Sequence, residues 1–154
     1  MHYVNIIDLG ERERIIDGKH YLGLTDWDRD DYSILKEKKD TAILQMRNKD
    51  VTDEVIALLA DFDELEELDI GETSITDESL KVLAKLPKLR DLKMDNTAIT
   101  DAGFREHLLK KESLMKLDLE RMDPKTGVKS KSMRDWKNAK KGRDYLHTFR
   151  KVPK

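Results

Sequence analysis

The sequence of 154 residues contains no cysteine, only three prolines and few aromatic residues, which make up 6% of the chain. Without cysteine, neither a disulfide framework nor a thiolate metal site can form. The simplest expectation is that such a chain resides in a reducing compartment. The first 18 residues lack a basic segment followed by an apolar run, so we expect no signal peptide. No stretch approaches the roughly 18 apolar residues typical of a membrane helix. These absences predict a soluble, cytoplasmic protein.

Residue patterns that commonly carry catalysis are also scarce. The four histidines, His2, His20, His107 and His147, lack metal-ligand spacing such as HxxxH. The chain has no GxSxG, P-loop or GxGxxG motif. Carboxylates are abundant, but abundance on a solvated surface gives no reason for acid–base chemistry. We therefore expect a protein that is not an enzyme and that uses no metal or cofactor.

The chain does contain a repeat of 24 residues. Seven positions recur at this offset: Leu65, Leu68, Ile70, Thr73, Ile75, Thr76 and Asp77 are matched by Leu89, Leu92, Met94, Thr97, Ile99, Thr100 and Asp101. Upstream, five of these positions are occupied by Leu44, Met46, Val51, Thr52 and Asp53. Downstream, the strand half recurs after a step of 25 residues, at Leu114, Leu117 and Leu119. A fixed period of this size is typical of stacked repeat units.

Weaker matches extend the pattern at both ends. Leu22 and Leu24, followed by Ile34 and Leu35, resemble one more unit with a shorter period. At the other end, the segment around Tyr145 is a candidate last strand.

Each unit combines a strand with a helix. In LEELDI, apolar and charged residues alternate with a period of two, which is typical of a half-buried strand. In TDESLKVLAKL, Leu80, Leu83 and Ala84 fall on one helical face, and Thr76 or Asp77 can cap the start of the helix. A strand and a helix within about 24 residues leave only short loops. We therefore predict parallel strands about 4.8 Å apart, with the helices along the other side.

An LxxLxL strand, a polar Thr and an Ile-Thr-Asp that opens a helix resemble a leucine-rich repeat of the ribonuclease-inhibitor-like class, of the short bacterial type. The resemblance covers Thr41 to Leu119 firmly, and Tyr21 to about Tyr145 loosely. It implies an α/β leucine-rich-repeat solenoid with parallel strands on the concave side, helices on the convex side and a helical C-terminal cap. We expect one domain over 1–154, with an N-terminal cap at 1–18, about four to five repeats at 19–123 and a basic cap and tail at 124–154.

The chain departs from the family at one position of the turn. The family usually has Asn where this chain has Thr73, Thr97 and Lys49. A threonine hydroxyl can still hydrogen-bond the turn, but Lys49 cannot accept a hydrogen bond. We therefore expect the unit of Lys49 to be less regular.

Charge is divided unevenly along the chain. Residues 124–154 hold 11 of the 30 Lys and Arg residues but only two of the 32 acids, so this segment is near +9 and residues 1–123 are near −11. The basic segment also contains Trp136, Tyr145 and Phe149. Two interpretations fit it: a nucleic-acid contact through cations and stacking rings, or a cap that covers the end of the repeat array. Ser132 and the following MRDWKNAKK predict a capped helix with Met133 and Trp136 on one side, which favours the cap.

Strand alternation assigns the side chains of each unit to two faces. Leu68, Ile70, Leu92, Met94, Leu117 and Leu119 are predicted to point into the core. On the opposite face, Asp69, Lys93 and Asp118 are predicted to align in one row across neighbouring strands. This charged face either keeps an exposed sheet soluble or forms a surface that attracts a basic protein. At one end, Tyr21 and Trp27 are candidate aromatic anchors, although Trp27 can equally cover the end of the core.

Leucine-rich repeats commonly hold a protein partner on the concave sheet, so the resemblance implies a protein-binding module. The candidate partner-binding residues are Tyr21, Trp27, Gln45, Arg47, Glu67, Asp69, Asp91, Lys93, Asp95, Lys116, Asp118 and Glu120. By analogy, the expected role is an inhibitor or immunity protein that neutralises a basic toxin or nuclease in a bacterium. Two alternatives remain: a nucleic-acid- or ribosome-associated factor that uses the basic tail, and an adaptor that bridges two proteins.

Overall fold

A computed structural model describes residues 5–29 and 31–151 of the chain. In chain order the strands are β1 (Ile6–Asp8), β2 (Glu13–Ile16), β3 (Lys19–Gly23), β4 (Thr41–Gln45), β5 (Glu67–Asp69), β6 (Asp91–Lys93), β7 (Lys116–Met122) and β8 (Asp144–Phe149). The α-helices are α1 (Asp53–Ala57), α2 (Asp77–Leu83), α3 (Asp101–His107) and α4 (Ser130–Asn138), and a 3₁₀ helix spans Ser33–Glu37.

These strands form a single eight-stranded sheet whose spatial order is the chain order. β1, β2 and β3 pair antiparallel, whereas every pairing from β3 to β8 is parallel. Each parallel connection contains a helix, and the repeat is reproduced in the register, where Leu44, Leu68, Leu92 and Leu117 are successive partners. The α/β class is confirmed. The antiparallel hairpin at the start was not anticipated from the N-terminal sequence.

A hydrophobic core runs between the sheet and the helices. All six residues assigned to the core are buried: Leu68, Ile70, Leu92, Met94, Leu117 and Leu119. Ile70 and Met94 lie directly after β5 and β6. Fully buried leucines from the helices, including Leu80 and Leu83, pack in the same cluster. Successive helices also pack on one another, α1 on α2 and α2 on α3. None of the helices in the described ranges is long and apolar enough to cross a bilayer.

Threonine hydroxyls close the turn that follows the strands. Thr73 Oγ1 donates to the carbonyl of Ile70 at 2.7 Å, and Thr97 Oγ1 donates to that of Met94 at 2.8 Å. Both threonines are buried, so the predicted hydroxyl contact is confirmed. In the unit of Lys49, the preceding Asn48 donates to the carbonyl of Leu24 at 2.7 Å instead.

Aspartates tie the start of each helix to the next unit. Asp77 Oδ1 accepts from the Thr100 backbone N–H at 2.9 Å, and its Oδ2 accepts from the Thr100 hydroxyl at 2.6 Å. Asp53 accepts in the same way from Thr76, at 2.8 and 2.7 Å. Asp101 continues the series with the Lys129 backbone N–H, at 2.8 Å. The repeated Thr-Asp pair therefore links neighbouring units, while the hydroxyls of Thr76 and Thr100 cap their own helices.

The basic C-terminal segment is part of the fold. α4 begins at Ser130, with Lys129 as the N-cap, rather than at the Ser132 cap predicted from the sequence. Met133 and Trp136 are fully buried. The candidate last strand is confirmed as β8, which pairs parallel with β7.

Candidate functional site

Side chains of β3–β8 that alternate away from the core form one surface, here called the strand face. The register places its residues in two rows across the sheet: Tyr21, Ile43, Glu67, Asp91, Lys116 and Asp144 in the first, and Gly23, Gln45, Asp69, Lys93, Asp118 and Leu146 in the second. The predicted row of Asp69, Lys93 and Asp118 is therefore confirmed.

At the C-terminal ends of the strands, Arg47 bridges two of the predicted partner-binding acids. Its Nη1 atom lies 2.6 Å from Asp69 Oδ1, and its Nη2 atom lies 2.7 Å from Asp95 Oδ2. Asp95 belongs to the second unit beyond Arg47, so the guanidinium crosses an intervening strand end. It crosses at Gly71, where a Cβ atom would overlap both the Asp95 carboxylate and the Arg47 guanidinium. Glycine at position 71 is what leaves room for the bridge.

A second guanidinium, that of Arg121, completes this ion-pair network. Arg121 Nη2 lies 3.0 Å from Asp95 Oδ2 and 2.5 Å from Glu72 Oε1. Glu72, Asn96 and Arg121 occupy equivalent positions of the repeat, all with positive φ, at 63°, 50° and 55°. Glu72 and Asn96 lie in turns, and Arg121 lies near the end of β7. Sequence reasoning missed Glu72 and Arg121 because it stopped at strand alternation. Their recurrence at the repeat period is the signal that could have found them.

The network neutralises Asp95 inside the fold. Asp95 is only 5% exposed. Burial raises its pKa, but hydrogen bonds from Arg47 and Arg121 outweigh that effect and hold the pKa below its usual value. The hydrogen bond to Asp95 raises the pKa of Arg47, and that from Arg121 lowers the pKa of Glu72. Asp69 and Asp95, expected as free partner-binding anions, are therefore internal ion-pair partners.

Other carboxylates of the strand face remain open. Within the described residues, Glu67, Asp91, Asp118, Glu120 and Asp144 take part in no ion pair. Burial raises the pKa of Asp118, and the negative charges of Asp95 and Glu120 add to the effect. The positive charge of Lys93 lowers that pKa without forming an ion pair, so a further cation placed beside Asp118 would be favourable.

Three of these open carboxylates, Asp91, Asp118 and Asp144, line a shallow depression across β6, β7 and β8. Its volume is about 290 Å³. The lining combines acids, bases and apolar groups: Asp91, Lys93, Lys116, Leu117, Asp118, Asp144, Tyr145 and Leu146. A smaller depression of about 60 Å³ adjoins it on β4–β6, beside Gln45 and Glu67. Carboxylates next to apolar surface suit a lysine or arginine side chain, whose stem is apolar and whose head is cationic.

The two aromatic candidates are placed differently. Tyr21 lies on the strand face and donates from its hydroxyl to Gln45 Oε1 at 2.9 Å. Trp27 lies away from that face, against the core and beside Ile34. Its ring is flanked by Arg12 and Arg29, at 5.1 and 5.6 Å from the ring centre. Trp27 therefore covers the N-terminal end of the core and does not join the candidate surface.

Several cations of the basic segment are bound within the chain. Lys137 Nζ donates to the carbonyl of Arg143 at 2.8 Å, and Lys140 Nζ to that of Glu112 at 2.7 Å. Arg143 is 4% exposed and donates to the carbonyls of Lys111, Leu114 and Trp136. These contacts weaken the nucleic-acid interpretation, which needs free cations.

The described histidines form no metal site. His20 lies between Glu13 and Asp40, with ring nitrogens 2.9 and 3.1 Å from their carboxylate oxygens. His147 contacts the carbonyl of Val128 at 2.6 Å. In residues 5–29 and 31–151, no group of three or more His, Asp or Glu side chains is arranged to hold a metal ion. His2 lies outside the described residues.

Comparison with known proteins gives a likeness of fold. No protein-family model matches the chain, and no curated protein matches it. A solved structure of Leiomodin-1 Actin-Binding Site 2 (ABS2) is similar over 78% of this chain and 77% of that chain, with a TM-score of 0.56 and 12% sequence identity. At that identity the likeness concerns the fold alone.

Proposed function

We propose that the chain is a leucine-rich-repeat protein of the ribonuclease-inhibitor-like class, built as a solenoid. Strands β3–β8 would form its concave side, the helices its convex side, and α4 its helical C-terminal cap. Support comes from the chain-order parallel sheet and from contacts that recur with the repeat. The turn hydroxyls of Thr73 and Thr97 and the links from Asp53, Asp77 and Asp101 are such contacts. The hairpin of β1 and β2 takes the place of the N-terminal cap.

Within that fold, the strand face acts as a protein-binding surface and carries no catalysis. One observation supports this most: open carboxylates of β6, β7 and β8 lie on one surface, around a depression that also has apolar walls. A mostly acidic surface selects a basic partner and accelerates its encounter. Because Asp69, Glu72 and Asp95 are already paired with Arg47 and Arg121, binding depends on the open carboxylates of the strand face instead.

The ion-pair network holds one end of this surface in a fixed arrangement. Arg47 and Arg121 join residues of four successive units through the Asp95 carboxylate. Such a bridge holds neighbouring units in one register, and a pre-ordered surface loses less entropy when it binds.

In its cellular role, the protein acts in the cytoplasm as an inhibitor or immunity protein that blocks a basic toxin or nuclease. This role rests on the family resemblance and on the acidic strand face. The similar structure is named as an actin-binding site of leiomodin-1, but a likeness at 12% sequence identity is evidence of a similar fold alone. Actin is therefore not part of the proposal.

The test compares proteins captured by the wild-type chain with those captured by Asp91→Lys/Asp144→Lys, which reverses two open charges of the strand face. The matched control is Glu54→Lys/Glu78→Lys, which makes the same charge change at exposed helix positions. We expect a basic protein, identified by mass spectrometry, to bind the wild type and the control and to be lost from the strand-face variant.

The purified partner then separates binding from inhibition. We expect titration to show that the strand-face variant binds the partner more weakly. Its affinity should also depend less on salt concentration than that of the wild type. A partner set that is identical for all three chains would refute the strand face as the binding surface. Binding without any loss of the partner's own activity would refute the inhibitor role and leave the binding module standing.

A further inference from the structure

The exposed hydrophobic side chains are concentrated at the two edges of the sheet. In the described part of the chain, the large hydrophobic residues with high exposure are Ile6, Ile7, Leu9, Leu146 and Phe149. The first three lie in or directly after β1, and the last two lie in β8. Interior strands expose no comparable residue. Scattered exposed apolar residues need no explanation, but a set confined to two edges does.

Both edges also have unpaired backbone groups. β1 pairs with β2 alone and β8 with β7 alone among the described strands. An edge strand with free N–H and C=O groups is a template for another strand, and apolar side chains on it strengthen the pairing.

Strand direction makes the two edges compatible. β1 is antiparallel to β2, and β2 is antiparallel to β3, so β1 runs in the same direction as β3–β8. A second copy placed in line would therefore add its β1 parallel to β8. That is the pairing which the sheet already uses from β3 to β8.

Charge favours the pairing of unlike edges. Residues 5–18, which contain β1, hold four acids and two arginines. Residues 140–151, which contain β8, hold one acid and four Lys or Arg residues in addition to the buried Arg143. Two β8 edges would repel each other, but a β1 edge and a β8 edge attract.

We infer that this chain self-associates head to tail, with β1 of one copy docked on β8 of the next. The contact is heterologous, so each copy keeps one open edge and association continues into short linear oligomers. The junction is small compared with the roughly 1,000 Å² that a stable interface needs, so the association is weak and depends on concentration.

Analytical ultracentrifugation of the isolated chain, over a series that reaches millimolar concentration, tests this inference without any partner protein. We expect the average mass of the wild type to rise with concentration. Ile7→Lys, which blocks β1, and Leu146→Lys, which blocks β8, should each stay at monomer mass. Both side chains are about half exposed, at 49% and 57%, so we expect both variants to fold.

Mixing the two variants is the decisive measurement. Each retains one intact edge, so an equimolar mixture should form a dimer that does not grow further. Ala98→Lys adds the same charge at an exposed position away from both edges, and it should associate as the wild type does. If circular dichroism shows that either variant is unfolded, Ile6→Lys and Thr148→Lys replace them.

Three results would each overturn the inference. They are a wild type that stays monomeric throughout the series, a single edge variant that still associates, and a mixture that stays monomeric while the wild type associates. Association by Ile7→Lys alone would indicate β8–β8 pairing, and association by Leu146→Lys alone would indicate β1–β1 pairing.

Discussion

Arg47 reaches two units along the chain because Gly71 leaves space for its guanidinium. The side chain passes over the end of β5 and contacts Asp69 before it reaches Asp95. Gly71 does not have a positive φ angle, so its backbone conformation does not require glycine. What matters at this position is the absence of a Cβ atom.

Replacing Gly71 with Ala tests that role. The added methyl would overlap the Arg47 and Asp95 side chains, so we expect the free energy of unfolding to fall by about 1–3 kcal/mol, the usual cost of overpacking. Urea denaturation measures it. In an Arg47→Met background the same change should cost much less, because the bridge is already gone. An equal cost in both backgrounds would show that Gly71 serves another purpose.

The low pKa of Asp95 predicts how acid affects stability. Its pKa in the folded protein is below the ordinary carboxyl value of about 3.9. Asp95 therefore contributes stability above that ordinary value, and the contribution is lost as pH falls through the lower folded pKa. We expect Asp95→Asn to be less stable than wild type by about 1–3 kcal/mol at neutral pH.

Below about pH 4, the stability difference between Asp95→Asn and wild type should shrink, because wild type then loses the same interaction. Chemical denaturation across a pH series measures the trend. Asp63→Asn, at an exposed carboxylate between α1 and β5, should follow the wild-type curve. A difference that stays constant down to acid pH would contradict the ionic role of Asp95.

Among the elements, the helices α2, α3 and α4 each start at a hydrogen bond to the preceding unit. α1 and α2 have only five and seven residues, and isolated helices of that length are unstable in water. Asp53, Asp77 and Asp101 accept hydrogen bonds from the start of the following helix. Stability is therefore shared between neighbouring units of the sequence repeat.

Asp77→Ala removes one of these links. It leaves the Thr100 N–H and hydroxyl without their acceptor, so we expect a loss of about 1–2 kcal/mol in the free energy of unfolding. Amide hydrogen exchange should accelerate in α3 more than in α1. The control is Glu78→Ala, whose side chain contacts Lys81 at the surface and should cost less than about 0.5 kcal/mol. Unchanged exchange in α3 would refute the coupling.

Sequence reasoning succeeded where structure depends on spacing along the chain. The repeat period predicted the inward leucines and the row of Asp69, Lys93 and Asp118, because both follow from strand alternation and register. It failed for Asp95, because the reach of Arg47 across Gly71 depends on distances between units. The β1–β2 hairpin was also missed, since it lies outside the repeat and has no copy with which to align.

At the scale of the molecule, the basic segment adds structure as well as charge. Trp136 and Met133 are buried against the last units, and Arg143 stacks on Trp136 with its guanidinium carbon 4.6 Å from the ring centre. Burial lowers the pKa of Arg143. The buried guanidinium is held there by the three carbonyls to which it donates. The Leu114 carbonyl accepts from Arg143, whereas the carbonyls of Lys111 and Trp136 also accept from the backbone N–H groups of Leu114 and Ala139.

Arg143→Met distinguishes a structural segment from a tail that only binds nucleic acid. Methionine keeps the apolar bulk but removes three hydrogen bonds, including the one that the Leu114 carbonyl accepts, so we expect a loss of about 1–3 kcal/mol in the free energy of unfolding. Arg134→Met removes the same charge from the exposed side of α4 and should change stability by less than about 0.5 kcal/mol. If the two variants are equally stable and both lose salt-sensitive binding to RNA or DNA, the segment serves nucleic acid. If only Arg143→Met is destabilised, the segment closes the end of the core.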